Sequence, residues 1–355
     1  MLRGTRILTI RGIPVHAHWS SAVIIALVGF NIGGVAGPLV GFLAGLLFLG
    51  SVLMHELAHA FTARRFGVST ERITLWGLGG IAALGAEAPT PKAEGWIAAA
   101  GPLMSAALGG VGMGGASLLH LLDVRGVAVG VLFWLGLTNA VLAAFNLLPG
   151  APLDGGRIVG AWRWSRHGDR YRARGEAAQL GVVLGAAVAG AGAFLAFRGI
   201  GSLMVPLTGV FLAVNAATER QAALACRRLA GMSVGDLTWF GIAGAQPQTD
   251  VATMLWERSR IGSAGVVALT DPDGNLMGIV TESRMERVPE DQRGTTSLGS
   301  LMVPAGNLAR SRPDESLVYA LARVSPLMPV LTVWTDNRLV GVVPTEWLRT
   351  RIATH

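Results

Sequence analysis

The run His55-Glu56-Leu57-Ala58-His59 sets two imidazoles four residues apart with a carboxylate beside the first. On a helix, positions i and i+4 share one face. Both rings can therefore grip a single zinc ion, at Zn–N distances of roughly 2.0–2.1 Å. Glu56 lies beside that ion without having to bind it, so it can take a proton from a water there and later give it to a leaving amine. A catalytic zinc needs three protein ligands and an open position, and the run supplies two. The candidate third is Asp154, in Asn146-Leu147-Leu148-Pro149-Gly150-Ala151-Pro152-Leu153-Asp154-Gly155-Gly156-Arg157. The prolines and glycines there break a helix and permit irregular backbone at a protein-lined cavity. The alternative for Asp154 is an Asp-Gly loop that caps a helix.

The elements that must position these groups are apolar. The chain has 355 residues, of which 51% are hydrophobic and only 14% charged, against about 25% charged in an ordinary soluble domain. Mean hydropathy is +0.50. Segments 19–60, 96–148 and 176–218 carry almost no charge, whereas 219–355 has the composition of a soluble domain. Six spanning helices are expected, near 19–36, 38–65, 95–119, 127–148, 176–197 and 202–218, each close to the ~20 residues needed to cross the hydrocarbon core. Residues 1–18 read as a short strand pair on the membrane surface, and no cleavable signal is expected there. The glycine-spaced stretch 70–90 reads as a hairpin or re-entrant element. An ionisable residue inside a spanning segment is costly and marks a functional site, which sharpens the significance of His55, Glu56 and His59.

With six spans both ends face one side. The loops on that side hold sixteen Arg and Lys, against Arg125 and Arg198 opposite; positive charge stays cytoplasmic, so both termini are expected there, in a cell-membrane protein. The same count brings the end of the second span and the 149–174 loop to one face, which is the independent reason to pair Asp154 with the two histidines. The net charge of +7 comes without a Lys/Arg run interleaved with aromatics, which argues against nucleic acid as a partner. The basic stretch 157–174 reads as an interfacial anchor attracted to anionic lipid, with substrate docking as the alternative. Cys226 is the single cysteine, so no internal disulfide framework exists. His16 and His18 read as surface or packing residues, with contact to the metal as the alternative, and His120 reads as structural.

HExxH in an apolar span followed by NxxPxxxxDG after a later one resembles the site-2 protease family of intramembrane metalloproteases. Gly79-Gly80 in a β-rich insertion and Ala100-Gly101-Pro102-Leu103 opening the third span are similar to that family as well. The resemblance covers about 1–220. It implies one Zn2+ per chain held by His55, His59 and Asp154, with Glu56 as base. It also implies that Asn146 orients substrate or steadies the tetrahedral intermediate, a helix-packing hydrogen bond being the other reading of Asn146. Its implied substrate is a single-pass membrane protein already trimmed by another protease, in bacteria often an anti-sigma factor, unwound before cleavage and accepted by strand addition at the 70–90 element.

After Arg228 the pattern changes. Segments 232–287 and 298–350 repeat one unit: a short lead (VGDLTW; LGSLMVP), an amphipathic helix (TDVATMLWERS; DESLVYALARV) and two strands joined by a turn. The expected layout is a membrane-embedded metalloprotease domain over 1–220, a linker at 221–231, and repeats over 232–290 and 296–351. The fold class is thus a multi-pass α-helical membrane protein with a small β element plus a C-terminal α/β pair. That pair resembles CBS domains, which implies a regulatory module, dimerisation through it, and adenine nucleotides as a ligand class. The usual ribose signature, Gly-apolar-apolar-Thr followed three residues later by Asp, is broken: Gly278-Ile279-Val280-Thr281 leads to Arg284, and the second copy has Pro344 and Trp347. The departure argues against adenosine recognition. Two rival classes stand against the enzyme: a non-catalytic membrane scaffold or sensor working through the repeats, and a transporter, for which inverted repeats of broken helices are lacking.

Overall fold

A computed structural model describes residues 4–77, 79–238, 242–259, 265–322, 330–336 and 338–344. It divides into two compact units, Met1–Leu224 and Ala225–His355.

In the first unit, strands β1 (Thr5–Ile10) and β2 (Ile13–Ala17) precede helices α1 (Ser21–Ala36) and α2 (Pro38–Arg65). Strands β3 (Thr70–Trp76) and β4 (Gly79–Leu84) follow, then helices α3 (Pro91–Leu121), α4 (Val127–Asn146), α5 (Asp154–His167), α6 (Arg170–Phe197) and α7 (Met204–Leu229). Four of these helices, α2, α3, α4 and α6, are long and apolar enough to cross a membrane, by length and composition. The six expected spans correspond to these four plus α1 and α7. Helix α1 is apolar but only 16 residues long, short of the ~20 a crossing takes. Helix α7 is long but ends in charge, with Glu219, Arg220, Arg227 and Arg228. The outer faces are apolar: Phe30, Leu39, Phe42, Leu103, Val111, Leu137, Val183 and Phe194 are all exposed. Such a surface suits lipid rather than water.

The two β segments expected as separate elements form one sheet in the order β1-β2-β3-β4. Strand β2 pairs parallel with β3, with Val15 opposite Ile73, while the two hairpins are antiparallel. Ile13, Val15, Ile73 and Leu75 of this sheet bury against Val52, Leu57 and Ala60 of α2. The sheet is thereby fixed onto the half of α2 that carries the HELAH run. Strand β4 is an edge.

Helix α3 packs against α2, α4 and α5. Its approach to α4 depends on missing side chains: a Cβ on Gly136 would stand 2.5 Å from Met113 N, so the two backbones touch, as small residues allow between helices in lipid. Residues 147–153, between α4 and α5, form a tight corner with a cis Ala151–Pro152 bond. A Cβ on Gly155 would fall 2.3 Å from Leu147 O and 2.4 Å from Leu148 O, so the glycine after Asp154 is what lets α5 start against the corner. The 149–174 stretch is therefore largely helical, where a loop was expected.

Five arginines of the basic stretch are engaged by carboxylates. Arg163 and Arg172 meet Glu176 at 3.1 Å. Arg157 and Arg170 meet Glu94, Arg170 also meets Glu87 at 3.1 Å, and Arg174 pairs with Glu219. These pairs tie α3, α5, α6 and α7 together.

In the second unit α7 continues to Leu229 through most of the stretch 221–231 expected as a linker. Then come β5 (Ala243–Ala245), α8 (Val251–Ser259), β6 (Val266–Thr270), β7 (Leu276–Thr281) and α9 (Glu282–Glu286). They are followed by α10 (Leu298–Leu301), β8 (Val303–Pro304), β9 (Arg310–Ser311), α11 (Leu317–Ala322), β10 (Val330–Thr335) and β11 (Arg338–Pro344). Each copy is a short strand, a helix and an antiparallel hairpin, the short strand lying parallel to the hairpin's first strand. The two leads are exchanged. Val234 N donates to Glu315 O at 2.9 Å, and Val234 packs with Leu317, Leu331 and Val343 of the second copy. Reciprocally, Leu298 N donates to Thr249 O at 2.8 Å, and Leu298 packs with Val251, Val267 and Val280 of the first. Val266 and Ile279 meet Leu308, Val330 and Val342 in a shared core. Arg284, at the position of the missing Asp, donates to Leu301 O at 2.9 Å; Trp347 lies outside the described residues.

Candidate metal centre

Helix α2 delivers both imidazoles to one face, and the corner after α4 brings Asp154 to meet them. His55 Nε2 and His59 Nε2 are 3.1 Å apart, and Asp154 Oδ2 is 3.3 Å from each. These three are the group able to hold a metal ion among the described residues. Their triangle matches tetrahedral zinc, since bonds of about 2.0–2.1 Å put neighbouring ligands roughly 3.3–3.4 Å apart.

The rings are oriented from outside by α3. His59 Nδ1 lies 2.6 Å from Ile97 O. A carbonyl only accepts, so this nitrogen donates and Nε2 keeps its lone pair for a metal. His55 Nδ1 meets the hydroxyl of Ser105 at 2.9 Å, and Ser105 is fully buried. Both histidines and Glu56 are buried. A deprotonated carboxylate is the form a metal requires.

Two glycines keep the centre open. A Cβ on Gly101 would stand 2.2 Å from His59 Nε2 and 2.5 Å from His55 Nε2, pressed against both metal-binding nitrogens. A Cβ on Gly80 would come within 2.3 Å of Glu56 Cγ and 2.9 Å of its Oε1. Strand β4 thus lies directly over Glu56. Donor set and triangle both fit zinc.

Asn146 ends α4 and donates to Leu142 O of its own helix at 3.0 Å. His18 Nδ1 meets Ser20 Oγ at 2.7 Å, and His16 sits in β2 opposite Arg6 and Thr74; neither is in the metal group. Ile97 and Ser105 were not singled out from sequence. A backbone carbonyl carries no side-chain signal, and one serine in an apolar helix is a weak one. Gly101 stood out only as part of Ala100-Gly101-Pro102-Leu103.

The model of peptidase family M50 matches residues 41–121 and 120–190. The chain is 38% identical to the Mycobacterium tuberculosis protein Rip3, named as a zinc metalloprotease, over 94% of this chain and 89% of that one. It is similar to the solved site-2 protease from Methanocaldococcus jannaschii, with 28% identity and a TM-score of 0.46 over 61% of this chain and 95% of that one. It is also similar to a CBS-domain-containing protein from Agrobacterium tumefaciens, with 19% identity and a TM-score of 0.27 over 34% of this chain and 95% of that one. On the match to its family model and its near full-length likeness to Rip3, the chain belongs to peptidase family M50.

Proposed function

We propose that the chain is a zinc-dependent intramembrane endopeptidase that hydrolyses a peptide bond in or near a transmembrane segment of another membrane protein. The observation that carries this reading is the convergence of His55, His59 and Asp154, with Glu56 alongside, on a helix apolar enough to cross a bilayer. His55, His59 and Asp154 hold the metal. Zinc, when bound there, polarises the scissile carbonyl and makes a water nucleophilic at neutral pH. Glu56 takes the proton of the attacking water and hands it to the departing amide nitrogen. Asn146 has a second amide hydrogen beyond the one given to Leu142 O, and that hydrogen steadies the developing oxyanion. The free edge of β4, lying over Glu56, receives the substrate as an added strand, which requires its helix to unwind first.

The protein is multi-pass, with both termini cytoplasmic; the Arg and Lys bias between the two sets of loops supports this. Its substrate is a single-pass membrane protein, such as an anti-sigma factor. The repeated C-terminal unit acts as a CBS-type regulatory and dimerising pair, and the use of Arg284 to hold Leu301 O supports a pair that does not bind adenosine. Purified protein in detergent tests the core claim on a model transmembrane substrate. Wild type cuts and Glu56→Gln does not, at equal zinc content; equal cleavage by both removes Glu56 as the base. Calorimetry with ATP and AMP tests the tail, where tight binding would contradict the reading of Arg284.

A further inference from the structure

Arg157 closes the Asp154-Gly155-Gly156-Arg157 run, yet neither metal holding nor proton transfer uses it. Its Nε and Nη2 both reach Glu94 Oε1 at 3.0 Å. The other oxygen of Glu94 meets Arg170 Nη2 at 3.3 Å, and Arg170 is anchored in turn on Ala88 O at 3.0 Å and on Glu87. The Glu94 side chain is 16% exposed and that of Arg157 36%. Glu94 lies three residues before Ile97, whose carbonyl holds the His59 ring. Arg157 lies three residues after Asp154. Each is about one helical turn from its own helix's contribution to the metal centre.

We propose that Glu94 and Arg157 form a latch that positions Asp154 against the two imidazoles. Asp154 is the first residue of α5 and is fed by a corner containing two prolines. A helix end of this kind frays unless something beyond its own backbone holds it. The guanidinium fork on a sheltered carboxylate is a strong, directional contact, and it ties α5 to α3, the helix that already orients His55 through Ser105 and His59 through Ile97. One helix thereby sets all three ligands. Glu94 and Arg157 are positioning residues, since both act through Asp154. The inference rests on the reading of His55, His59 and Asp154 as zinc ligands.

The test measures zinc dissociation from full-length protein in detergent by competition with a chromophoric chelator, together with the visible spectrum of the Co2+-substituted protein. Circular dichroism confirms helix content. Glu94→Gln and Arg157→Gln are each expected to weaken zinc binding by about 10–100-fold, the usual effect of losing an outer partner, and to alter the Co2+ bands. The double variant should be no worse than either single one, because the pair acts as a unit. Arg157→Lys, which keeps the charge and the fold but loses the fork, should fall between wild type and Arg157→Gln. Glu219→Gln breaks the ion pair with Arg174 and should leave zinc affinity unchanged. Wild-type affinity and spectrum in both Gln variants, or an equal loss in Glu219→Gln, would overturn the latch. A wild type that holds no more zinc than His55→Ala would instead overturn the metal centre itself, and the latch with it.

Discussion

Gly101→Ala is the most exacting probe of the metal centre, because it adds one methyl group against both metal-binding nitrogens. The new Cβ would stand 2.2 Å from His59 Nε2 and 2.5 Å from His55 Nε2, whereas non-bonded heavy atoms settle at about 3.5–4.0 Å. Relief requires a shift of more than about 1 Å, either between α2 and α3 or by rotation of the imidazoles. Rotation breaks the bonds to Ile97 O and Ser105 Oγ, each leaving a buried polar group that costs about 1–3 kcal/mol. Overpacking costs the fold about 1–3 kcal/mol, within the ~5–15 kcal/mol by which a typical domain is stable. Alanine is also the better helix former, by about 1 kcal/mol. The variant should therefore fold while zinc affinity drops by more than the roughly 100-fold loss of an outer partner. The assay is zinc per chain by elemental analysis after gel filtration, with circular dichroism on the same sample. A folded Gly101→Ala protein that keeps one zinc at wild-type affinity would refute the placement of the ion between these two nitrogens.

The companion substitution Gly80→Ala puts its methyl within 2.9 Å of Glu56 Oε1 rather than beside the ligands; it should retain zinc and lose cleavage of the model substrate, and full activity would remove the close cover of β4 over the base. Ser105→Ala deprives the His55 ring of its outer partner and should weaken zinc binding by about 10–100-fold in the chelator competition, with unchanged helix content. Leu298→Ala removes a fully buried side chain from the first copy's core and should cost the C-terminal unit about 2–5 kcal/mol. That loss is read as a lowered thermal midpoint for this unit in the full-length protein, and a midpoint within about a degree of wild type would contradict the exchange of leads.

What the sequence makes legible is whatever follows from spacing along one element. The four-residue spacing of His55 and His59 determines a shared helix face, and apolar length determines where α2, α3, α4 and α6 run. The bounds of α2 match its expected span of 38–65. Asp154 was reachable as well, because ligand count and loop sidedness pointed to the same corner. The residues that escaped act across elements. Ile97 contributes a carbonyl, Gly101 contributes the absence of a side chain, and Ser105 is one hydroxyl among apolar neighbours; none leaves a periodic trace. The arginines of 157–174 read as a membrane anchor, and their pairing with Glu87, Glu94 and Glu219 left no trace because these carboxylates lie far away in the chain. The pairing of β2 with β3 escaped for a similar reason, since a parallel pair bridged by two helices has no local turn to announce it.

The exchange of leads in the C-terminal unit has a consequence for how that unit can be dissected. A cut between residues 286 and 296 yields two pieces, each missing the strip that finishes its own core and each carrying the strip the other lacks. Neither piece is a domain in its own right, so deleting one repeat strands the survivor. The severed halves, brought together, contain every contact of the intact unit and should reassemble, which would make this tail a ready-made split reporter.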